Sequence, residues 1–379
     1  MTLPWVGKVN VALAGAAGLL AAMGLFALWT HDRDGHGWFD RQLVWAGVAA
    51  AVMLAAMLPH YRSTRHAAYV LYALALVALV ALLVFARKTN GARGWFALGP
   101  IKLQPAELAK IAVVMAMARW LSVARDLHTV RGLAAPALIA AVPMALILAQ
   151  PDLGNAIVLV PVAFAMLYVA GARTKHLLAA AAFMLACAPG VWRWGLKDYQ
   201  KYRITSFLWP DAVPRDVSFQ QQQSIRACAA GGLTGGEGGG YYVPEQHTDF
   251  VYSIVCGELG FIGASFMLLL FGILFAQAGR IAAQTREPYG RLVAVGILVF
   301  LATQVFVNVG MAIGVAPITG ITLPFVSYGG SSLVCCALAL GLVLNVGARW
   351  VPTFSSRDLD AGHVAIREFV PQERKALPL

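Results

Sequence analysis

The sequence predicts an all-α integral membrane protein with about ten transmembrane helices, one long extracytoplasmic loop and a re-entrant turn before the last span. Two observations support this fold class. The 379-residue chain is 59% hydrophobic and only 12% charged, about half the charged fraction of a soluble protein. Its apolar residues also form runs of about 18 residues or more, the length that an α-helix needs to cross a bilayer.

Ten apolar runs meet this length criterion. They cover residues 9–30, 41–58, 67–86, 105–121, 133–149, 153–170, 176–192, 251–278, 292–316 and 324–347. The first run has no convincing small-residue cleavage site after it, so we expect no cleavable signal peptide. The runs therefore predict one polytopic membrane domain over residues 1–348, followed by a polar and mobile cytoplasmic tail over residues 349–379.

Basic residues give the expected orientation. If the N-terminus is cytoplasmic, ten Lys and Arg residues lie in the short inner loops and six in the short outer loops. This bias follows the positive-inside rule and predicts that both termini are cytoplasmic, with the long loop of about residues 193–250 outside. The same scattered cations account for the net charge of +11, so we expect no nucleic-acid partner. The five cysteines show no metal-ligand spacing and indicate no disulfide framework.

The outer loop contains a cationic stretch and a glycine-rich stretch. Tryptophan and tyrosine residues alternate with four cations in the first stretch, which are Arg193, Lys197, Lys201 and Arg203. Such a belt can simply anchor a span at the membrane interface, or its cations can bind an anionic head group such as pyrophosphate. Residues 231–240 hold seven glycines, and we expect this segment not to hold a shape by itself.

The end of the outer loop places a carboxylate at the membrane boundary. Residues 244–250 read Pro-Glu-Gln-His-Thr-Asp-Phe, and the eighth apolar run follows at once. Asp249 could cap the helix, because aspartate is a favoured N-cap residue and its charge suits the positive helix end. It could equally be a catalytic base for a lipid-linked substrate, and the stretch alone does not decide between the two.

Further charged residues lie in or beside the spans, where a lone charge is costly. Glu107 and Lys110 are spaced i, i+3 on one helix face, so they either neutralise each other or form a polar floor beneath an outward cavity. Asp152 lies in a tight hairpin and is expected to cap the sixth span. Glu258 lies two to three turns into the eighth span and is expected to point inward.

The stretch from residue 317 to residue 332 combines two prolines, three glycines and several hydroxyl side chains, including that of Ser327, within an apolar region. An uninterrupted helix is not expected there. Irregular backbone at membrane depth is tolerated only where it contacts protein or water. We therefore predict a re-entrant turn that lines a cavity.

Together, these stretches resemble the SEDS family (shape, elongation, division and sporulation), which includes RodA, FtsW and SpoVE. The resemblance covers about residues 45–348. Its motifs are Gly91-Ala92-Arg93 with Trp95, then LQPAELAK, AQPDLG, PEQHTDF, GELG and NVGMAIGVAPITGITLPFVSYGGSS. The combination of PEQHTDF with TLPFVSYGGSS is highly specific to this family.

The resemblance implies a peptidoglycan glycosyltransferase that polymerises lipid II in the bacterial plasma (inner) membrane, for elongation, division or sporulation. It implies a class B penicillin-binding protein as partner, beside lipid II and the membrane lipid. The family's catalytic aspartate maps onto Asp249, its buried acid–base pair onto Glu107 and Lys110, and its hairpin aspartate onto Asp152. His247 is expected to orient the loop, and Glu258 and Ser327 to support the site.

The leaving group of this reaction is a lipid pyrophosphate, whose charge needs cations. Candidates are Arg93, Lys197, Lys201 and Arg203, or a divalent cation such as Mg²⁺ or Mn²⁺, and no organic cofactor is expected. Two other functions stay open from the sequence. One is a lipid flippase or transporter that uses Glu107, Lys110 and Asp152 as polar steps. The other is a catalytically silent scaffold of a cell-wall synthesis complex.

Overall fold

The computed structural model describes residues 8–32, 35–86, 94–98, 101–124, 126–209, 215–236 and 243–349. The predictions for Arg93, for the second half of the glycine-rich stretch and for the tail after residue 349 lie outside the described residues.

In these ranges the chain forms twelve α-helices and one short β-hairpin. The first seven helices are α1 (Val11–His31), α2 (Trp38–Met57), α3 (Tyr61–Phe85), α4 (Pro105–Leu121), α5 (Val130–Ala149), α6 (Leu153–Val169) and α7 (Thr174–Gly190), which a π-helical turn (Val191–Gly195) extends. The remaining helices are α8 (Asp198–Leu208), α9 (Arg215–Ala230), α10 (Val251–Gln284), α11 (Pro288–Ala312) and α12 (Gly330–Arg349). The hairpin pairs β1 (Phe96–Leu98) with β2 (Ile101–Leu103) just before α4.

Each of the ten predicted spans lies on one of these helices. Among the described residues, eight helices are long and apolar enough to cross a membrane, and the 17-residue helices α4 and α6 occupy the predicted fourth and sixth spans. The chain is a multi-pass membrane protein. Several boundaries differ from the prediction, because helices continue through polar interfacial residues: α3 begins at Tyr61 rather than at residue 67, and α10 continues to Gln284.

The helices pack around α4, α11 and α12. Helix α12 is the most buried span and packs along α2, while α11 contacts α4, α6 and α10. Helix α7 is mostly exposed at the periphery. The polar side chains of α4 therefore lie at the centre of the bundle, where a charged group requires a partner.

The long outer loop is more regular than predicted, because it contains the helices α8 and α9. Helix α9 was not predicted, because the face that it buries is polar. Gln221 donates to the backbone carbonyls of Met311 and Ala316, at 3.1 and 2.8 Å, and the Ser224 hydroxyl donates to the carbonyl of Ala312 at 2.9 Å. The carbonyls of Met311 and Ala312 lie at the C-terminal end of α11, where a helix has no internal partners for them, and that of Ala316 lies in the segment that follows. Burial of α9 thus follows from hydrogen bonds rather than from apolar periodicity.

The first part of the glycine-rich segment has a defined position, which corrects the prediction that it would not hold a shape. Helix α10 breaks at Gly260, whose φ of 63° and ψ of −163° lie in a region open only to glycine. The amides of Phe261 and Ile262 donate across this break to the carbonyls of Gly232 and Leu233, at 2.9 and 3.1 Å. The segment therefore supplies acceptors for the broken helix.

The predicted re-entrant turn is an irregular, largely buried segment between α11 and α12. Ile321, Leu323 and Val326 are each buried there. The backbone of this segment approaches α1 and α6 so closely that a Cβ atom on Gly24 or Gly154 would overlap its carbonyl groups. Two glycines in neighbouring helices thus allow the irregular segment to lie inside the bundle.

Candidate active site

Asp249 lies in the turn that leads into α10, and its carboxylate does not cap that helix. Its backbone amide donates to the carbonyl of Glu245 at 3.0 Å, which closes the turn. The N-cap position belongs to Phe250, which makes no side-chain capping bond, and within the described residues no amide of α10 donates to the Asp249 carboxylate. The capping interpretation is therefore wrong, and the half-buried carboxylate remains available for chemistry.

A cation from the outer loop lies near this carboxylate. Asp249 Oδ2 and Arg203 Nη1 both lie beside Gly320, at 3.6 and 3.8 Å from the position that a Cβ atom would take there. Helix α8 carries Arg203, whose guanidinium lies over the Tyr199 ring with 5.8 Å to the ring centroid. The Tyr199 hydroxyl donates to the carbonyl of Pro151 at 2.6 Å, which fixes α8 against the hairpin between α5 and α6.

The environment raises the pKa of the Asp249 carboxyl to about 6. Burial is the largest cause, because it disfavours the charged form, and the negative charges of Glu245 and Asp152 act in the same direction. The positive charge of Arg203 and a hydrogen bond from Thr248 oppose the rise. A carboxylate with this pKa is ionised at neutral pH and is a better proton acceptor than an ordinary aspartate.

Asn308 of α11 connects the Asp249 turn to the irregular segment, and the sequence analysis missed it. Its side-chain amide donates to the carbonyl of Asp249 at 2.8 Å and to the carbonyl of Ile321 at 2.7 Å, and the residue is fully buried. Asn308 is the first residue of the long NVGMAIG motif. An amide at that depth in an apolar span was the signal that could have identified it.

His247 contributes to an aromatic stack with Trp38 and Tyr328. Its ring stacks on the Trp38 ring at 4.1 Å and 9°, and it contacts Tyr328 at 5.6 Å between ring centroids. Its backbone carbonyl accepts from the amide of Tyr328 at 2.9 Å. Burial is the largest cause that lowers the pKa of His247; the charges of Glu245 and Asp32 oppose this effect, and those of His31 and His36 add to it. These contacts hold the Asp249 turn against α2 and the irregular segment.

The i, i+3 spacing of Glu107 and Lys110 does produce a buried ion pair. Lys110 Nζ lies 2.6 Å from Glu107 Oε1 and donates to Asn155 Oδ1 at 2.7 Å. Asn155 in turn donates its side-chain amide to Asp152 Oδ2 at 2.8 Å and its backbone amide to Asp152 Oδ1 at 3.0 Å. The predicted cap at Asp152 is thus confirmed. The network joins α4 to α6 and runs from the bundle centre to the hairpin between α5 and α6.

The other predicted site residues are less closely grouped. The Ser327 hydroxyl accepts from the amide of Leu323 at 2.8 Å, so it stabilises the irregular segment internally. Lys197 is exposed at the start of α8, and Lys201 lies 3.9 Å from the exposed Asp198 carboxylate. Glu258 is half-buried in the turn before the α10 break.

Comparison with known proteins identifies the family. A family model described as "Cell cycle protein", which covers FtsW, RodA and SpoVE, matches residues 5–350. The chain belongs to this family. It is 37% identical over 340 residues to Stage V sporulation protein E of Bacillus subtilis (strain 168), covering 87% of this chain and 92% of that protein. This confirms the SEDS resemblance.

Two further members have informative descriptions. A protein named probable peptidoglycan glycosyltransferase FtsW, of Geobacter metallireducens, is 37% identical over 328 residues, covering 83% of this chain and 86% of that one. A solved structure described as "Structural coordination of polymerization and crosslinking by a peptidoglycan synthase complex" matches with a TM-score of 0.81 at 35% identity. The match covers 89% of this chain and 97% of the solved one. The SEDS fold is therefore shared over nearly the whole bundle.

Proposed function

We propose that this SEDS protein is a peptidoglycan glycosyltransferase that polymerises lipid II on the outer face of the bacterial plasma membrane. The observation that supports it most directly is the position of Asp249. A half-buried carboxylate with a raised pKa lies at the end of a membrane span, beside Arg203 and free of a capping role. The relative named probable peptidoglycan glycosyltransferase FtsW supports the same reaction class.

The geometry suggests how these residues act. Asp249 accepts the proton of the acceptor sugar hydroxyl as its oxygen attacks the anomeric carbon of the donor. The bond from that carbon to the lipid pyrophosphate breaks, and the pyrophosphate oxygen takes the electron pair. Arg203 provides a charge that stabilises this leaving group. Asn308 holds the turn through a hydrogen bond to the Asp249 carbonyl, and His247 holds it through the stacking of its ring on Trp38. Asp249 therefore keeps its position during the transfer.

A divalent cation such as Mg²⁺ or Mn²⁺ would neutralise pyrophosphate charge in this site. Among the described residues, no cluster of three or more His, Cys, Asp or Glu side chains could hold a metal ion. Asp249 and Asp152 are close enough to influence each other electrostatically. One or two carboxylates completed by substrate phosphates are the usual way in which proteins hold Mg²⁺, so Asp249 and Asp152 are the residues that we propose would hold such an ion.

A class B penicillin-binding protein is the proposed partner. The solved relative is described as coordinating polymerisation with crosslinking, which needs a second active site beside the glycosyltransferase. The outer helices α8 and α9 lie on the same side of the bundle as Asp249. A transpeptidase that binds there would receive the growing strand where it forms.

The test is a polymerisation assay with labelled lipid II and purified protein, with and without the co-expressed class B penicillin-binding protein. We expect Asp249→Asn to abolish glycan polymer at neutral pH while expression and melting temperature stay unchanged, because the amide cannot accept the proton. Asp40→Asn is the matched control, since it removes an exposed carboxylate in the first turn of α2. It should polymerise as the wild type does.

Each alternative function gives a different result in this assay. Wild-type levels of polymer from Asp249→Asn would contradict the assignment of the base. Lipid II transport in vesicles without any polymer would indicate a flippase. Neither polymer nor transport, with the partner present, would indicate a scaffold.

A further inference from the structure

A polar cavity lies at the opposite end of the bundle from Asp249. It has a volume of about 540 Å³ and is lined by Arg62, Arg65, His66, Arg119 and Glu287. Helix α3 begins here, α4 ends here and α11 begins here, whereas Asp249 lies where α10 begins and α11 ends. The cavity is therefore separated from the proposed active site by the thickness of the bundle.

The arginines that line this cavity form no close ion pair among the described residues. Within the part of the chain that the structure describes, no carboxylate lies within 4 Å of Arg62, Arg65 or Arg119. Glu287 is the one acidic side chain in the lining, and its Oε2 accepts from the amide of Gly290 at 2.6 Å as the N-cap of α11. Helix α3 has no acidic residue in its first turn, so its positive end adds to the field.

One guanidinium in the cavity is already held in place. Arg119 Nη1 donates to the backbone carbonyls of Arg65 and His66, and its guanidinium lies over the Tyr69 ring at 4.6 Å to the ring centroid. Its other nitrogens have no partner among the described residues. An arginine that is fixed in this way loses little side-chain entropy when it binds an anion, and its planar fork fits the oxygens of a phosphate.

The surroundings indicate where such an anion would come from. Tyr69, whose ring contacts the Arg119 guanidinium, and Trp120, which follows Arg119 in the chain, are 38% and 39% exposed, as aromatic residues are at a membrane interface. Leu58, at the end of α2, is also largely exposed. A phosphate bound here would therefore lie at the level of the lipid head groups of that leaflet.

We propose that this cavity binds the phosphate of an anionic phospholipid head group, in the leaflet opposite to the glycosyltransferase site. Basic residues at this end of a membrane protein often form only a solvated patch that sets its orientation. The concave shape, the lack of a close ion pair to the arginines among the described residues and the fixed Arg119 distinguish this group from such a patch. Basic pockets between spans are a known way for proteins to bind anionic lipids. The proposal does not depend on the proposed catalytic function.

The experiment measures lipid binding to the full-length protein in detergent by native mass spectrometry. Three probes are compared, which are phosphatidylglycerol, the zwitterionic phosphatidylcholine and inorganic phosphate. The variant R62Q/R65Q removes two of the cations that line the cavity and leaves Arg119 and its hydrogen bonds to the backbone intact. We expect it to weaken phosphatidylglycerol binding about tenfold or more, as loss of charged hydrogen bonds does, and to leave phosphatidylcholine binding unchanged.

The matched control is R131Q/R280Q, which removes two exposed arginines at the same end of the bundle but outside the cavity. It should keep the affinity for phosphatidylglycerol within about twofold, as expected for surface charges. Equal weakening by both double variants would overturn the proposal, because it would show a diffuse charge effect. Binding of inorganic phosphate as tight as that of phosphatidylglycerol would overturn the assignment to a lipid.

Discussion

The ionisation of Asp249 depends on neighbours that can be changed one at a time. Burial raises the pKa of its carboxyl to about 6, Arg203 opposes the rise, and Glu245 adds to it. A general base must be deprotonated, so polymerisation should fall as the pH drops through about 6. Arg203→Gln should move this acid limb to higher pH, because it removes the charge that lowers the pKa. Glu245→Gln should move it to lower pH.

The measurement is the pH profile of polymerisation for the wild type and both variants. The position of the acid limb is the readout, since Arg203→Gln is also expected to lower the plateau rate through the loss of a charge near the pyrophosphate. If the acid limb moved in the same direction in both variants, or if it lay near pH 4 in the wild type, another group would control the reaction.

The buried pair gives a prediction about stability. Glu107 and Lys110 are almost completely buried, and Lys110 also bonds Asn155. Loss of one partner leaves an uncompensated charge in the bundle, which costs about 3–5 kcal/mol. Glu107→Ala or Lys110→Ala should therefore lower the melting temperature in detergent and, with it, activity. The double variant E107Q/K110M should recover part of the stability, because it removes both charges and retains the volume. Single variants that melt as the wild type does would mean that water solvates the pair.

At the level of elements, the break in α10 explains why a glycine-rich segment follows α9. The amides of Phe261 and Ile262 would be left without partners inside the protein if the segment did not supply its carbonyls. Gly260→Ala should disrupt this junction, because alanine cannot adopt the observed φ and ψ and its Cβ would overlap the backbone of Leu233 and Gly235. We expect a loss of at least about 2 kcal/mol in the free energy of unfolding.

Gly272→Ala is the control for this substitution, since Gly272 lies in the same helix with open space around it. Thermal melting of both variants in detergent tests the prediction. Helix propensity favours alanine over glycine, so the control should melt at the wild-type temperature or slightly above it. If Gly260→Ala melts together with the control, the break in α10 is not required for the fold.

The same elements show what could be predicted from the sequence. Apolar runs identified the eight long apolar helices of the described residues and the shorter helices α4 and α6, and fixed helical spacing identified the Glu107–Lys110 pair, because both signals are local. The helix α9 could not be recognised, since its buried Gln221 and Ser224 bind the end of α11 and interrupt any apolar periodicity. Contacts between distant segments, such as Trp38 on His247, have no local signal either.

At the scale of the whole molecule, the two polar sites lie at opposite ends of the bundle, and their compartments follow from its orientation. Arginines concentrate at the end where α3 begins, and Asp249 lies at the other end. The positive-inside rule therefore predicts that the α2–α3 connection is cytoplasmic and that α8 is extracytoplasmic. Both termini would then be cytoplasmic, since α1 begins and α12 ends at the arginine-rich end.

Cysteine labelling tests this orientation. Ser63→Cys in the first turn of α3 and Asp198→Cys in the first turn of α8 both place a thiol at an exposed position. The background should carry C187A/C228A, which removes the two native cysteines that are not buried. A membrane-impermeant maleimide should label Asp198→Cys in intact spheroplasts. It should label Ser63→Cys only after permeabilisation, because a charged reagent does not cross the bilayer. The reverse pattern would place Asp249 in the cytoplasm, away from the compartment where glycan strands are polymerised, and would contradict the proposed function together with the orientation.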